Sequence, residues 1–241
     1  MAGVHGKRIA VLGSNSGLGL AVARDLALAG ASVIGIDAHP VYDHLDSFLR
    51  ADPRAAGLMV DVAAALPEGL DGLALFPRLE GGVAEVIAQG ITAPLTLARA
   101  LAPRMGAGAV IVTRAYGPHA ERGRHQAAVR AALALRAGGE ADFATLWNLQ
   151  AEPVWAPRIA GWANLAFVQR QGLGPRLNAV TPARPDGHFD ALAHPVAQSG
   201  PEVVAQAVTY LLSDRARGVT GANLAVDGGR SARIEAALLG H

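Results

Sequence analysis

The sequence predicts an α/β fold: a doubly wound, seven-stranded parallel sheet with a helical insertion between strand five and the following helix. Two observations carry that prediction. Short apolar runs of strand length alternate with longer stretches that are apolar at helical spacing. That alternation runs from RIAVLG to ANLAVDGG, the signature of a parallel sheet with helices on both faces.

Taken in order, RIAVLG is strand one, Leu18 to Ala29 a helix and SVIGID strand two. GLMVDV and DGLALF read as strands three and four. Glu80 to Met105 is one long helical pattern, joined by GAG to strand five, AVIVT. Val154 to Gln171 is a further helix, followed by RLNAV as strand six. PEVVAQAVTYLLSD opens with Pro at a helix start, and ANLAVDGG closes as strand seven. Between Thr113 and Val154 no strand pattern appears; AERGRHQAAVRAALALRAGG and ADFATLWNLQ read as helices. The expected organisation is a single domain over residues 1–241 with a helical lid or interface insertion at about 114–153.

Composition narrows the function classes. A chain of 241 residues buries a sizeable core. A net charge of +1 with 17% charged residues gives no electrostatic footprint for nucleic acid or a membrane surface. The absence of cysteine excludes disulfides and thiolate metal sites. No apolar run approaches the roughly 18 residues of a membrane span, and MAGVHGKRIAVLG lacks the apolar core of a signal peptide, so a cytoplasmic protein is expected. Lys7 is the only lysine among the 21 basic residues.

GSNSGLG follows a strand and opens a helix. Gly13 permits the tight turn, Gly17 lets the backbone approach a pyrophosphate, and Gly19 allows close helix packing. With Ser14, Asn15, Ser16 and Leu18, these residues present a helix N-terminus to phosphate groups. Asp37 closes strand two where a carboxylate accepts the adenosine ribose hydroxyls and repels a 2′-phosphate, which favours NAD over NADP. Asp61 and Val62, ending strand three, are placed to border the adenine.

With GSNSGLG, Asp37, the DV at Asp61, GAVIV, RLNAVTP, PEVVAQAVTYLLSD and VTGANLAVDGG in view, the chain resembles the short-chain dehydrogenase/reductase (SDR) family nearly end to end. The long insertion resembles the bacterial hydroxysteroid dehydrogenase/carbonyl reductase branch. The resemblance implies a Rossmann-type sheet, a nicotinamide cofactor, and dimers or tetramers. It also implies a catalytic Tyr-x-x-x-Lys pair, a Ser ending strand five and a supporting Asn in the fourth helix. This sequence departs at each of these places. Arg114 or Ala115 falls where the Ser belongs, Gly90 where the Asn belongs, and LFPR replaces the turn after strand four. One register puts Gln126 and Arg130 at the Tyr–Lys pair; the preferred one puts Trp155 and Ile159 there. No register contains the pair, because Lys7 lies in strand one and the three tyrosines are Tyr42, Tyr116 and Tyr210. No catalytic residue is therefore assigned.

Several residues are candidates for a substrate pocket. Tyr116 is placed to act as a displaced acid, with Arg114 beside it. Arg114 is alternatively placed to grip an anionic group. Trp155 and Ile159 would face the nicotinamide, holding that half of a bound NAD weakly, and Trp147, Trp155 and Trp162 would form an aromatic wall. His188 and His194 have no metal-site spacing, and no metal is expected. Three functions fit this pattern. They are a non-catalytic or regulatory subunit in a homo- or hetero-oligomer with an SDR paralogue, an NAD-dependent oxidoreductase or isomerase using non-standard chemistry on a small molecule, and a nucleotide-responsive regulator. Neither nucleic acid nor membrane is an expected partner.

Overall fold

A computed structural model describes residues 3–40, 44–116, 122–170, 174–183 and 200–239. Seven parallel strands are ordered β3-β2-β1-β4-β5-β6-β7: β1 is Arg8–Leu12, β2 Ser32–Asp37, β3 Ser47–Arg50, β4 Gly72–Leu75, β5 Val110–Arg114, β6 Arg176–Pro182 and β7 Asn223–Val226. The order reverses between β1 and β4. A crevice at such a switch point, outside the carboxyl ends of the strands, is where open α/β sheets take ligands.

The alternating side chains of each strand feed two cores. Ala10 and Leu12 face the layer formed by helices α2 (Met59–Ala65) and α4 (Ala93–Leu101). Ile9 and Val11 face α1 (Gly17–Leu28) and the later helix Pro201–Leu212. The insertion supplies α5 (Gln126–Ala134) and α6 (Glu140–Leu146), and is followed by α7 (Trp155–Gln169), α8 (Pro201–Leu212) and α9 (Arg230–Leu239). Helix α9 is an element the sequence pattern did not announce. Helix α5 packs on α7, and α6 packs on α3 (Val83–Ile87). Their apolar faces make a third cluster around Trp162, which is fully buried.

Two expected elements are corrected. Strand three is SFLR, not GLMVDV, which folds as a short 3₁₀ turn running into α2. Met59, Val62, Ala63 and Leu66 are buried at helical spacing, so the run is one stripe of a helix. The real β3 hydrogen-bonds within the sheet only to β2, and an edge strand does not need a continuous apolar run. The long fourth helix is broken by a π-helical turn, Ala88–Thr92, between α3 and α4.

Helix α7 is buried on nearly every side. Replacing Trp162 by Ala is expected to destabilise the fold by about 3–5 kcal/mol, read as a lower denaturant midpoint. Leu146→Ala, at an exposed position of α6, should change stability by less than about 0.5 kcal/mol.

Candidate functional site

The glycine loop lies at the crevice, between β1 and the first turn of α1. Gly13 has φ +89°, and a Cβ there would sit 2.4 Å from the Phe76 carbonyl oxygen, so the turn and the close pass of the β4 loop both require glycine. A Cβ on Gly19 would lie 2.0 Å from the Gly13 carbonyl oxygen, which locks α1 against the loop. Gly17 is exposed, with open space where a Cβ would project. Ser16 precedes the helix without a side-chain cap, and Ser14 is buried with its Oγ unpartnered among the described residues.

Asp37 ends β2 beside this loop. Its carboxylate accepts N–H bonds from Asn15 at 3.0 Å and Ala38 at 2.7 Å. Burial pushes its pKa above the ordinary 3.8, opposed by the backbone N–H groups of Asn15, Ala38 and His39. Across the sheet edge Asp37 pairs in register with Arg50, whose Nε donates to the Ala38 carbonyl. Asp61 and Val62 do not end a strand: Asp61 is exposed in the first turn of α2 and Val62 is in the core. The residues that follow the end of β3 are Ala51 and Asp52, a signal present in SFLRAD.

A cavity of about 460 Å³ opens next to the loop, walled by Ser16, Gly17 and Leu18, the β4 loop from Phe76 to Leu79, the π-turn at Gln89 and Gly90, and Arg114 to Tyr116. Helix α7 contributes Pro157, Ala160, Gly161 and Asn164. Trp155 and Ile159 do not line it, which corrects the expected register by two residues. Two residues apart on a helix is a 200° rotation, so these side chains point away from the cavity, toward the insertion. There the Trp155 ring lies tilted against His125 with centroids 4.1 Å apart, donates its Nε1–H to Glu152 and lies under the Arg158 guanidinium. Ile159 is buried in the third cluster. The tryptophans form no cavity wall either: Trp162 stacks with Trp155, and Trp147 lies against Phe143.

Tyr116 borders the cavity but is only 5% exposed, with its ring edge-on to Trp162 and beneath Arg158. The cation facing that ring is Arg158, not the expected Arg114. Arg114 instead lines the cavity and donates from Nη2 to the Pro77 carbonyl at 3.3 Å.

The cavity face of α7 is packed tightly. A Cβ on Gly161 would lie 2.4 Å from Tyr116 Cβ and 2.5 Å from its backbone nitrogen; one on Gly90 would lie 2.8 Å from Ala160 Cβ. Asn164, 5% exposed, donates from Nδ2 to the carbonyls of Gly90 and Arg114, both at 3.1 Å, tying α7 to the π-turn and to β5. Gln89 pins the β4 loop by exchanging hydrogen bonds with the Glu80 backbone, and Thr92 donates to Glu140 of the insertion. Asn164 was the legible clue that sequence reasoning missed: a polar residue inside the apolar run GWANLAF.

Comparison with known proteins now bears on this geometry. The chain is 29% identical to cis-4-hydroxycyclohexanecarboxylate dehydrogenase of Sinomonas cyclohexanicum over 96% of its length and 100% of that protein's. A family model described as enoyl-(acyl carrier protein) reductase matches residues 187–231. The 3-alpha-hydroxysteroid dehydrogenase from Pseudomonas sp. B-0831, solved with NADH, superposes with a TM-score of 0.77 at 27% identity, covering 95% of this chain and 99% of that one. Along nearly its whole length the chain is similar to members of the short-chain dehydrogenase/reductase family. A short-chain dehydrogenase from Burkholderia cenocepacia, solved with NADP, has the same fold at 21% identity and a TM-score of 0.67, over 94% of this chain and 98% of that one. Within the SDR framework, the α7 positions four residues apart that both face the cavity are Pro157 and Gly161, with Ala160 and Asn164 beside them. Neither pair is Tyr–Lys. Lys7 is at the opposite end of β1, bonded to Asp214. His188, His194 and Tyr42 lie outside the described residues.

Gly161→Ala should destabilise the protein by about 1–3 kcal/mol through overpacking against the Tyr116 Cβ and backbone nitrogen. For the same reason the double substitution Pro157→Tyr with Gly161→Lys is expected to lower Tm without producing ketone reduction. Thermal unfolding and an NADH-consumption assay check both outcomes.

Proposed function

We propose that the protein is a dinucleotide-binding SDR that has lost the family's acid/base chemistry and acts as a non-catalytic or regulatory subunit beside a second copy or a triad-complete paralogue. The observation that carries this is Gly161 against Tyr116, where no side chain of any kind fits without moving the strand end. A positioned acid/base contributes roughly 10²–10⁴ in rate, so its absence costs family-standard carbonyl reduction several orders of magnitude. Residues 114–153 would serve as lid or interface within a single domain spanning the whole chain.

The proposed ligand is NAD(H), which supplies a hydride acceptor or donor when bound. Main-chain groups of Gly13 to Gly19 would take the pyrophosphate, and Asp37 the adenosine ribose. Ala51 and Asp52, rather than Asp61 and Val62, would border the adenine. The nicotinamide half would be held weakly, because no ammonium faces its ribose. A cytoplasmic location remains the proposal; among the described residues no helix is long and apolar enough to cross a membrane.

A second reading keeps an enzyme. The cavity is open beside the glycine loop, and a relative that aligns along nearly the whole chain is named a dehydrogenase. In that reading, the substrate provides its own acid. Co-purification with a paralogue, followed by turnover assays of each chain alone and together, separates the two: activity of the isolated chain sinks the subunit reading.

Calorimetry should show tighter binding of NADH than of NADPH. Asp37→Ser should raise the NADPH/NADH affinity ratio at least about tenfold, because it removes a repelling carboxylate while Arg50 stays in register beside it. The pH dependence has a defined sign. The ionised carboxylate accepts the ribose hydroxyls, and its pKa is raised, so NADH affinity should fall on acidification earlier than an ordinary aspartate would dictate. Asp37→Asn should abolish that step.

A further inference from the structure

The cavity has a charge pattern that a dinucleotide does not account for. Arg114 ends β5 on one wall and Arg78 stands on the β4 loop, and none of the described lining residues carries a carboxylate. The bond from Arg114 to the Pro77 carbonyl holds its guanidinium across the ends of β4 and β5. Arg78 pairs with Glu80 at 2.9 Å, but these side chains are 65% and 51% exposed. Solvent screens such a pair, and a better acceptor can replace it. The first turn of α1 adds positive potential to the same cavity. Much of the rest is apolar, including Leu79, Pro94, Pro157 and Ala160.

We infer that this cavity binds a small organic acid, an apolar ring or chain bearing one carboxylate. Arg114 takes the carboxylate where the family places a serine, and the apolar body lies against Leu79, Pro94 and Pro157. A guanidinium fork matches a carboxylate with two parallel charge-assisted hydrogen bonds, a geometry that neither serine nor lysine reproduces. The cavity volume is within the range of small-molecule sites. This names the ligand class of the proposed cleft and rests on reading that cleft as a ligand site. It also couples to the dinucleotide. An oxidised nicotinamide is a cation, disfavoured beside two guanidiniums, and a carboxylate bound between them relieves the repulsion. The carboxylate and NAD⁺ should therefore tighten each other by the same factor.

The test titrates benzoate, benzamide and inorganic phosphate into the full chain by calorimetry, with ADP-ribose binding measured separately on every sample. Benzoate should bind at least about tenfold tighter than its neutral amide, a difference of roughly 1.4 kcal/mol. Arg114→Gln should weaken benzoate by a similar factor while ADP-ribose affinity is unchanged. Arg78→Gln, at an exposed position, should weaken benzoate less. Saturating benzoate should tighten NAD⁺ and leave ADP-ribose unaffected. Equal binding of benzoate and benzamide, phosphate matching benzoate, or an Arg114→Gln variant that keeps full benzoate affinity would each overturn the inference. Absence of ADP-ribose binding counts against the dinucleotide reading alone, since the benzoate comparison does not depend on it.

Discussion

The close approach of α7 to the end of β5 and to the π-turn governs this cavity. A helix that presents large side chains to a strand end stands away from it. Here Ala160 and Gly161 let two backbones come nearly into contact, with Gly90 and Tyr116 on the other side. Such contact strips water from main-chain groups, and a buried carbonyl without a donor costs about 1–3 kcal/mol. Asn164 meets that need by donating one amide nitrogen to two carbonyls. The floor of the cavity is consequently made of backbone and an amide. It positions α7 and seals the gap against the strand end.

That arrangement explains which parts of the molecule were legible in the sequence. The glycine loop was readable because its residues answer to local demands: a positive φ at Gly13, and close packing at Gly19. Asp37 was readable because strand two is buried and its end is marked by the first charged residue. Strand three was misread because GLMVDV is apolar at spacings that suit a strand or one face of a helix, and only tertiary burial decides between them. The true edge strand, SFLR, is half polar and gives little signal. The register of α7 failed for a related reason. Trp155 and Ile159 looked like replacements for large functional side chains, whereas the cavity-facing positions hold small residues that attract no notice in an Ala- and Gly-rich chain. The expected absence of a Tyr–Lys pair does not depend on that register, because Lys7 is the only lysine in the sequence.

The insertion makes the tightness of α7 possible. Helix α5 covers the face of α7 that points away from the sheet, so Trp162, Ile159 and Ala163 are buried there while Leu165 and Val168 are buried against the sheet layer. A helix buried on both sides has little freedom to shift, and a change on one face is transmitted to the other. Thr92 strengthens the link by joining the π-turn to Glu140 at the start of α6. The insertion and the cavity floor therefore behave as one packed unit. The glycine loop is shaped by β1, β2 and the β4 loop, and Gln89 links that last loop to the π-turn.

The described side chains at the cavity suit the binding of a ligand. Arg78 and Arg114 carry the positive charge of the cavity lining. Ser16, Gln89 and Asn164 are neutral donors and acceptors. Tyr116 lines the cavity as well, and its ring is engaged by Arg158 and Trp162 on the insertion side. A cavity of this composition can orient a ligand, neutralise an anionic group and exclude water. Its described lining holds neither histidine nor carboxylate, and the glycine loop and the α7 face are under different physical constraints. The first is fixed by backbone conformation and tolerates little change. The second is set by close packing, with Gly161 against Tyr116 leaving no room for a long side chain at that position.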